Sequence, residues 1–265
     1  MTLYTVIGAR GFIGSRLAAA LAADGSDVRT PARGADLTTS DLGRVIYCAG
    51  LTGDYRTRPF DTVEAHVSLL SRLLEAGRYE RLVYLSSTRL YQTTRAAVGR
   101  EDEPLRLDPN DIEQVYELSK ALGENLAVNR SDGRGCAARL AYVFDWRPGA
   151  EGFLADWLAQ ARAGKSITVA STPEDGRDFI HVDDVTRALR AMADQPVNAI
   201  VNVAAGRTTT NAEIAAVFEA AGWGVTFTGS RAAAAPTTAD IASLRALGID
   251  PRSALDLIGE YLATL

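Results

Sequence analysis

The stretch that most constrains the fold is GARGFIG, residues 8–14, in which three glycines are spaced as G-x-x-G-x-x-G. A β-rich run, LYTVIG, precedes it, and the apolar residues of FIGSRLAAALAADG (12–25) recur at helical spacing after it. Glycines at such a junction let the backbone turn tightly, and the free N–H groups at the helix start can bind a pyrophosphate. The spacing alone is weak evidence in a chain with 23 glycines, so a plain glycine-rich turn is the alternative. Its position between strand and helix favours a dinucleotide-binding loop.

The rest of the first half continues to alternate between strands and helices. The predicted strands are RVIYCAG (44–50), RLVYLSS (81–87) and GCAARLAYVF (135–144), and the predicted helices cover 59–77 and 111–130. Because parallel strands need crossover connections, repeated β-α units predict an α/β fold in which helices cover both faces of a parallel sheet.

The second half is less regular. It contains a predicted helix over 153–163 and predicted strands over 167–170 and 199–206, and RAAAAPTT (231–238) is its clearest loop. GRDFIHVDDV (176–185) leads into a helix that we expect Asp183 or Asp184 to cap. Thr210 with Glu213 fits a capping box ahead of another helix.

Composition excludes several classes of partner. A net charge of −5 gives no electrostatic reason to expect nucleic acid or an anionic membrane, and no run approaches 18 apolar residues, so we predict no membrane span. Cys48 and Cys136 lie in apolar, strand-like runs and are expected to be buried free thiols. With only two histidines and no cluster at ligand spacing, no metal site is expected. We expect a soluble, cytoplasmic protein.

A brief second strand is predicted around Val28, and cations follow it in VRTPARGADL (28–37). Arg29 and Arg33, with Arg10 in the glycine loop, suit the 2′-phosphate of NADP, whereas a unit that prefers NAD usually has an acid at this point. The first acid, Asp36, comes late, and with Leu37 it is better placed to touch the adenine. These residues favour NADP over NAD weakly, and solvated arginines are the alternative.

YELSK (116–120) places Tyr116 and Lys120 four positions apart on a predicted helix, where they share a face. Lysine is scarce, since Lys165 is the only other one in the chain. A tyrosine with its ordinary pKa of about 10 is a poor base at neutral pH, and a nearby ammonium and a positive nicotinamide ring would lower that pKa. The pair therefore predicts an acid-base tyrosine, and an incidental surface pair is the alternative.

Hydroxyl residues end the strand in VYLSSTRLY (83–91). Ser86, Ser87 and Thr88 stand at the carboxyl end of a predicted parallel strand, where sheets of this class place ligands. One hydroxyl could hydrogen-bond the substrate oxygen whose proton Tyr116 moves, unless the three residues merely begin a turn.

Together and in this order, these stretches resemble the extended short-chain dehydrogenase/reductases, the NAD-dependent epimerase/dehydratase family. GRDFIHVDDV and AIVNVAAGRTTTNAEIA follow the family pattern too, so the resemblance covers nearly the whole chain. It implies a Rossmann-type doubly wound parallel sheet (1–145 plus about 176–205) and a smaller C-terminal substrate-binding domain (about 146–175 plus 206–265). Helices 60–76 and 111–130 would form the interface of a homodimer.

The resemblance also assigns roles to residues. Ser87, Tyr116 and Lys120 would be the catalytic set, in which Tyr116 exchanges a proton with a sugar hydroxyl or carbonyl during hydride transfer at the nicotinamide. Thr88, Tyr142 and Arg177 would contact the substrate, with Arg177 where family members often hold its phosphate. The residues expected to bind the cofactor are Gly8, Arg10, Gly11, Phe12, Ile13, Gly14, Arg29, Arg33, Asp36, Leu37, Cys48, Ala49, Gly50, Tyr116, Lys120, Leu140 and Val143.

Several positions depart from the family pattern. Dehydratases carry an Asp-Glu pair just after the catalytic hydroxyl, whereas Thr88 and Arg89 follow Ser87 here, which disfavours sugar 4,6-dehydration. Tyr142 and His66 stand where asparagine is frequent, and RAAAAPTTAD replaces a segment that often meets the nucleotide. The short region between the second and third strands is similar to that of some nucleotide-sugar ketoreductases.

The expected function is that of an NAD(P)-dependent epimerase or ketoreductase acting on a sugar, which we expect to be nucleotide-linked. A catalytically silent, NADP-sensing regulator is the alternative. Such regulators typically keep the glycine loop and lose the Tyr-Lys pair, which this chain retains.

Overall fold

Apolar runs of the sequence form most strands of a computed structural model that describes residues 1–94, 96–147, 150, 152–230 and 237–265. Residues 231–236 of the predicted loop lie outside the described residues. The strands are β1 (Leu3–Ile7), β2 (Asp27–Arg29), β3 (Arg44–Tyr47), β4 (Arg81–Ser87), β5 (Val98–Gly99), β6 (Gly135–Leu140), β7 (Tyr142–Phe144), β8 (Ser166–Val169), β9 (Gly176–His181), β10 (Ile200–Val203), β11 (Thr208–Thr210), β12 (Gly224–Phe227) and β13 (Thr238–Ala239).

Helices connect the strands. They are α1 (Phe12–Ala23), α2 (Pro59–Val63), α3 (Leu69–Ala76), α4 (Val115–Asn129), α5 (Phe153–Ala163), α6 (Val182–Asp194), α7 (Asn211–Ala220), α8 (Ala242–Ala246) and α9 (Ala254–Leu262). A π-helical turn, Glu64–Ser68, joins α2 to α3, and a 3-10 turn, Ile112–Gln114, precedes α4. No helix in the described part of the chain is long and apolar enough to cross a membrane.

The central sheet has six parallel strands in the order β10-β6-β4-β3-β1-β2. One face packs against α1 and α6 through side chains such as Leu17 and Leu189. The other packs against α3 and α4 through side chains such as Leu70 and Ala127. Burial on both faces explains why the strands read as continuous apolar runs, and it confirms the predicted doubly wound α/β fold.

A second hydrophobic core lies in the later part of the chain. Trp157 of α5, Phe218 of α7 and Ile258 of α9 pack together there. Around it lie a three-stranded sheet, β11-β9-β7, and a two-stranded sheet, β12-β8. Because β9 pairs with β7 and β11, residues 176–181 belong to this smaller sheet and not to the central one. The division into two domains stays a prediction.

Some local predictions are confirmed and others are wrong. The capping box of Thr210 and Glu213 is present at the start of α7. The cap of α6 is His181, whose Nδ1 accepts a hydrogen bond from the backbone N–H of Asp183, so neither expected aspartate is the cap. The strand predicted over 135–144 divides at Ala141, because β7 leaves the central sheet to pair with β9.

Candidate active site

A cavity of about 560 Å³ opens at the carboxyl ends of β1 and β3. This is where a doubly wound sheet binds a dinucleotide. Nine of the residues that were predicted to contact the cofactor line the cavity: Gly8, Arg10, Gly11, Arg33, Asp36, Leu37, Cys48, Ala49 and Gly50.

The glycine loop is shaped as a close backbone cradle. Gly8 has φ +83°, and a Cβ added there would lie 2.7 Å from the backbone nitrogen of Ala49. A Cβ on Gly14 would lie 2.4 Å from the carbonyl oxygen of Gly8. Gly11 caps α1 and offers no side-chain hydrogen bond, so N–H groups of the first turn remain open to an anion. The loop fits a pyrophosphate.

The three arginines expected at the 2′ position differ in placement. Arg10 and Arg33 are exposed and line the cavity. Arg29 does not line it, and its guanidinium donates to Ser40 Oγ at 3.0 Å and to the Asp41 carbonyl at 2.6 Å. The structure therefore gives no support to Arg29 as a cofactor ligand.

Acidic groups also line the cavity. Asp36 accepts hydrogen bonds from the hydroxyl and backbone N–H of Thr38, which hold the pKa of its carboxyl below the usual value. Arg72 of α3, paired with Glu64 of the π turn, also lines the cavity, as does Asp61 of α2. Sequence reasoning missed these residues, because nothing in helical spacing shows which face meets a loop distant in the chain.

Other residues predicted to bind the cofactor lie outside this cavity. Phe12, Ile13 and Gly14 belong to α1, Leu140 ends β6 and Val143 lies in β7. Tyr116 and Lys120 adjoin the cavity at Gly50, since a Cβ on Gly50 would lie 3.3 Å from Lys120 Nζ. The two side chains that were predicted to take part in proton transfer thus adjoin the cavity.

Tyr116 is buried, with 3% of its surface exposed, in the first turn of α4. Burial raises the pKa of its phenol, and hydrogen bonding to Ser87 is the strongest influence that lowers it, followed by the charge of Arg89. Burial thus outweighs these influences in the chain by itself, and the expected lowering, which depends also on a bound nicotinamide ring, stays a prediction. The predicted serine does face the predicted tyrosine, although the two lie on β4 and α4.

Lys120 is also buried, and its ammonium donates to the carbonyl of Leu85 at 2.8 Å. Its Nζ lies 6.0 Å from the centre of the Tyr116 ring. Burial lowers the pKa of Lys120 to about 7, so the group is divided between its charged and neutral forms at neutral pH.

His66 connects this region to the loop after β3. Its Nε2 accepts from the N–H of Leu51 at 3.3 Å, which places the ring proton on Nδ1, 2.8 Å from Ser119 Oγ. Ser119 in turn donates to the carbonyl of Tyr116 at 2.9 Å. Burial, followed by the charge of Lys120, lowers the pKa of His66 to about 2, so this histidine is a neutral bridge.

Arg177 and Tyr142, both predicted to bind substrate, come together with a residue that sequence reasoning missed. The Arg177 guanidinium lies 3.8 Å from the Phe153 ring centre and 5.5 Å from that of Tyr142. Its Nη1 is buried without a hydrogen-bond partner among the described residues. Thr88 is less free, because its hydroxyl donates to the Leu140 carbonyl at 3.3 Å.

A sequence profile of the NAD dependent epimerase/dehydratase family matches residues 4–204. The match covers most of the chain, including the glycine loop, the serine strand and the Tyr-Lys helix. The protein belongs to this family.

Two relatives share the name dTDP-4-dehydro-6-deoxy-D-allose reductase. The one from a Streptomyces species is 27% identical over 210 residues, which cover 72% of this chain and 62% of the relative, less than two thirds of its length. The one from Streptomyces bikiniensis is 27% identical over 259 residues, which cover 79% of this chain and 78% of the relative.

Among solved structures, MoeE5 in complex with UDP-glucose and NAD has the same fold. The two chains superpose with a TM-score of 0.76 at 26% identity, over 99% of this chain and 96% of MoeE5.

Proposed function

We propose that this protein is an NAD(P)-dependent ketoreductase of a nucleotide-linked sugar. The observation that carries the proposal is the meeting of Ser87, Tyr116 and Lys120 at the end of a cavity built for a dinucleotide. The reductase relatives and the NAD complex of MoeE5 support it.

The chain's own residues supply binding and proton transfer. The glycine loop holds the pyrophosphate, and the bound nicotinamide supplies the hydride chemistry. Ser87 orients the substrate oxygen by a hydrogen bond, and Tyr116 gives that oxygen a proton as it becomes a hydroxyl. Lys120 has a side chain long enough to reach a ribose hydroxyl of the bound cofactor.

The protonation state of Tyr116 in the unliganded chain suits the acid that reduction of a carbonyl requires. Because burial raises its pKa, the phenol is protonated at neutral pH and is ready to act as the acid that reduction of a carbonyl requires.

A nucleotide carrier is supported by the second part of the fold. The buried, unpaired Nη1 of Arg177 suits a phosphate oxygen, and Tyr142, 45% exposed, offers a flat aromatic surface beside it. Both belong to the smaller set of strands, so the substrate would lie between the two cores.

NADP remains the preferred cofactor in this proposal, because Arg10 and Arg33 reach the cavity. We expect Arg33→Ser to weaken NADPH binding about tenfold while NADH binding changes little. Arg29→Ser is the matched control, since that guanidinium is held by Ser40 and Asp41. Equal effects of both substitutions on NADPH and NADH, measured by calorimetry, would remove the NADP preference.

A homodimer is also proposed. Phe60 on α2 and Leu122 on α4 are exposed by 88% and 49%, and these helices pack against each other. Exposed apolar side chains on two neighbouring helices suit burial against a second copy of the chain. Light scattering should give twice the chain mass, and Phe60→Asp should reduce it towards a monomer.

A cytoplasmic location is consistent with the two cysteines. Cys48 and Cys136 are both free, and neither is needed to stabilise the fold as a disulfide. Fractionation of the producing cells, with detection of the protein in the soluble fraction, tests this.

Native mass spectrometry shows which cofactor the purified protein retains, and an NADPH assay then tests the activity. The purified protein is incubated with NADPH and a dTDP-linked 4-dehydro-6-deoxyhexose, and absorbance loss is compared with sugar product formed. One NADPH consumed per product supports the reductase. Tightly retained NAD with sugar interconversion and no net consumption would show an epimerase, and cofactor binding without turnover of any nucleotide sugar would favour the silent regulator.

A further inference from the structure

Arg89 stands immediately beyond the hydroxyl residues of β4, yet its contacts all lead towards Tyr116. Its Nε donates to Glu117, the neighbour of Tyr116 on α4, and its Nη2 donates to Tyr55 Oη at 2.8 Å. The guanidinium carbon lies 4.9 Å from the Tyr55 ring centre and 5.1 Å from that of Tyr116. One cation thus joins three separate chain segments around the phenol.

Arg89 also lies closer to this ring than Lys120 does. Lys120 Nζ is 6.0 Å from the ring centre, it is turned to the Leu85 carbonyl, and its pKa of about 7 leaves it only partly charged. A guanidinium, by contrast, stays charged throughout the physiological range. The permanent positive charge beside Tyr116 is therefore that of Arg89.

The other groups around Tyr116 come from four elements. The residues that interact with Tyr116 by ring contact, hydrogen bond or charge are Tyr84 and Ser87 of β4, Thr52 and Tyr55 of the loop after β3, His66 of the π turn, and Glu117 and Lys120 of α4. His66 is neutral, and Glu117 carries the negative charge that opposes Arg89.

We propose that Arg89 is a positioning residue for Tyr116, which stabilises the phenolate left after proton transfer and fixes the ring against Tyr55. This role rests on the proposed function of Tyr116 as the acid. Glu117 orients Arg89 and moderates its charge.

The pair is built unlike an ordinary structural ion pair. Glu117 is 5% exposed, and its Oε2 is buried without a hydrogen-bond partner in the described part of the chain. An unpaired buried carboxylate oxygen costs stability, so its place beside the proposed acid Tyr116 points to function. Arg89 keeps 31% of its side chain exposed.

Titration of Tyr116 in the free protein tests the proposal. Tyrosine labelled with carbon-13 at Cζ reports each phenol by NMR, and Tyr116→Phe identifies the relevant signal. Arg89→Met should shift the midpoint for Tyr116 to higher pH, because a cation is lost, whereas Glu117→Gln should shift it to lower pH. Glutamine keeps an oxygen that can accept from Arg89 Nε, so the ring contact is preserved.

The double variant Arg89→Met/Glu117→Gln separates charge from packing. If charge is responsible, its midpoint lies between those of the two single variants. An unchanged or lower midpoint in Arg89→Met would overturn the proposal. Should Arg89→Met fail to fold, Glu117→Gln still decides, because a midpoint that does not fall contradicts the role of the pair.

The titration needs neither cofactor nor substrate. Its outcome therefore stands whether or not NADPH-dependent activity is found, and failure of the proposed reaction would be recognised separately. Arg89→Lys provides a further comparison: a restored charge without the planar fork should return the midpoint only part of the way.

Discussion

Two arginine–glutamate pairs hold the same helix, α4, and they are built in opposite ways. Arg139 and Glu124 form a bidentate pair at 2.8 and 2.7 Å, with side chains only 2% and 4% exposed. Arg89 and Glu117, nearer the start of the helix, form a pair that is open on the arginine side. One carboxylate oxygen of Glu117 has no partner among the described residues.

The closed pair belongs to a network in which each member is satisfied. Arg139 Nη1 donates to Tyr91 Oη, which donates to Asn202 Oδ1, both at 2.8 Å. Asn202 Nδ2 then donates to the carbonyls of Gly99 and Asp240. A fully satisfied buried network fixes α4 against β6 and β10, whereas the open pair leaves bonding capacity beside Tyr116. The same two residue types therefore stabilise the fold at Arg139 and Glu124 and, in our proposal, position Tyr116 at Arg89 and Glu117.

Breaking the closed pair should have the largest effect on stability. Glu124→Gln leaves the Arg139 charge buried without its counter-ion, so we expect a loss of about 3–5 kcal/mol in the free energy of unfolding. Urea denaturation at pH 7 measures it. The double replacement Arg139→Met/Glu124→Leu is the control, because it removes both charges and should recover most of the lost stability. A Glu124→Gln variant within about 1 kcal/mol of wild type would contradict the distinction between the closed and the open pair.

Lys120 lies between the two glutamates on α4, and its pKa predicts how the stability of this helix region depends on pH. Its pKa is about 7 in the folded chain and 10.5 when exposed, so between these values the unfolded chain holds a proton that the folded chain has released. Stability contributed by this group must therefore rise with pH over that interval, by at most about 1.4 kcal/mol per pH unit.

The matched variant is Lys120→Met, which removes the titrating group. Denaturation of both proteins at pH 7.5 and 9 should show that the free energy of unfolding of wild type, relative to that of the variant, is larger at the higher pH. If the difference in free energy of unfolding between the two proteins is independent of pH, Lys120 remains charged in the folded protein. Since Glu124 opposes the lowering of this pKa, loss of Glu124 should widen the pH dependence.

Breaking the open pair should have the smallest effect on stability. Glu117→Gln removes a charge whose partner is already 31% exposed, and the amide can still accept from Arg89. We expect a change within about 1 kcal/mol, as for solvent-screened pairs. A loss as large as that of Glu124→Gln would show that the open pair is structural after all.

Local patterns allowed much of the fold and site to be predicted. The glycine loop, the Tyr-Lys spacing and the capping box at Thr210 each depend on residues a few positions apart, and sequence spacing displays such relations directly. The serine strand was predictable because parallel strands end at one edge of a sheet.

The rest depends on contacts between distant residues. Arg89 meets Tyr55 across 34 positions, and Arg29 turns away from the cavity because Ser40 and Asp41 offer it partners. The effect of burial on the Tyr116 pKa could not be predicted for a similar reason: desolvation follows from tertiary packing, which no short motif records.

Single-turnover hydride transfer by Tyr116→Phe tests the central claim most directly. The protein is loaded with NADPH, mixed with the dTDP-linked 4-dehydro sugar, and followed by loss of nicotinamide absorbance. Phenylalanine keeps the ring between Arg89 and His66 but removes the proton donor, so the rate should fall about 100-fold or more while cofactor affinity and unfolding stay near those of wild type. A variant that transfers hydride at the wild-type rate would contradict the account.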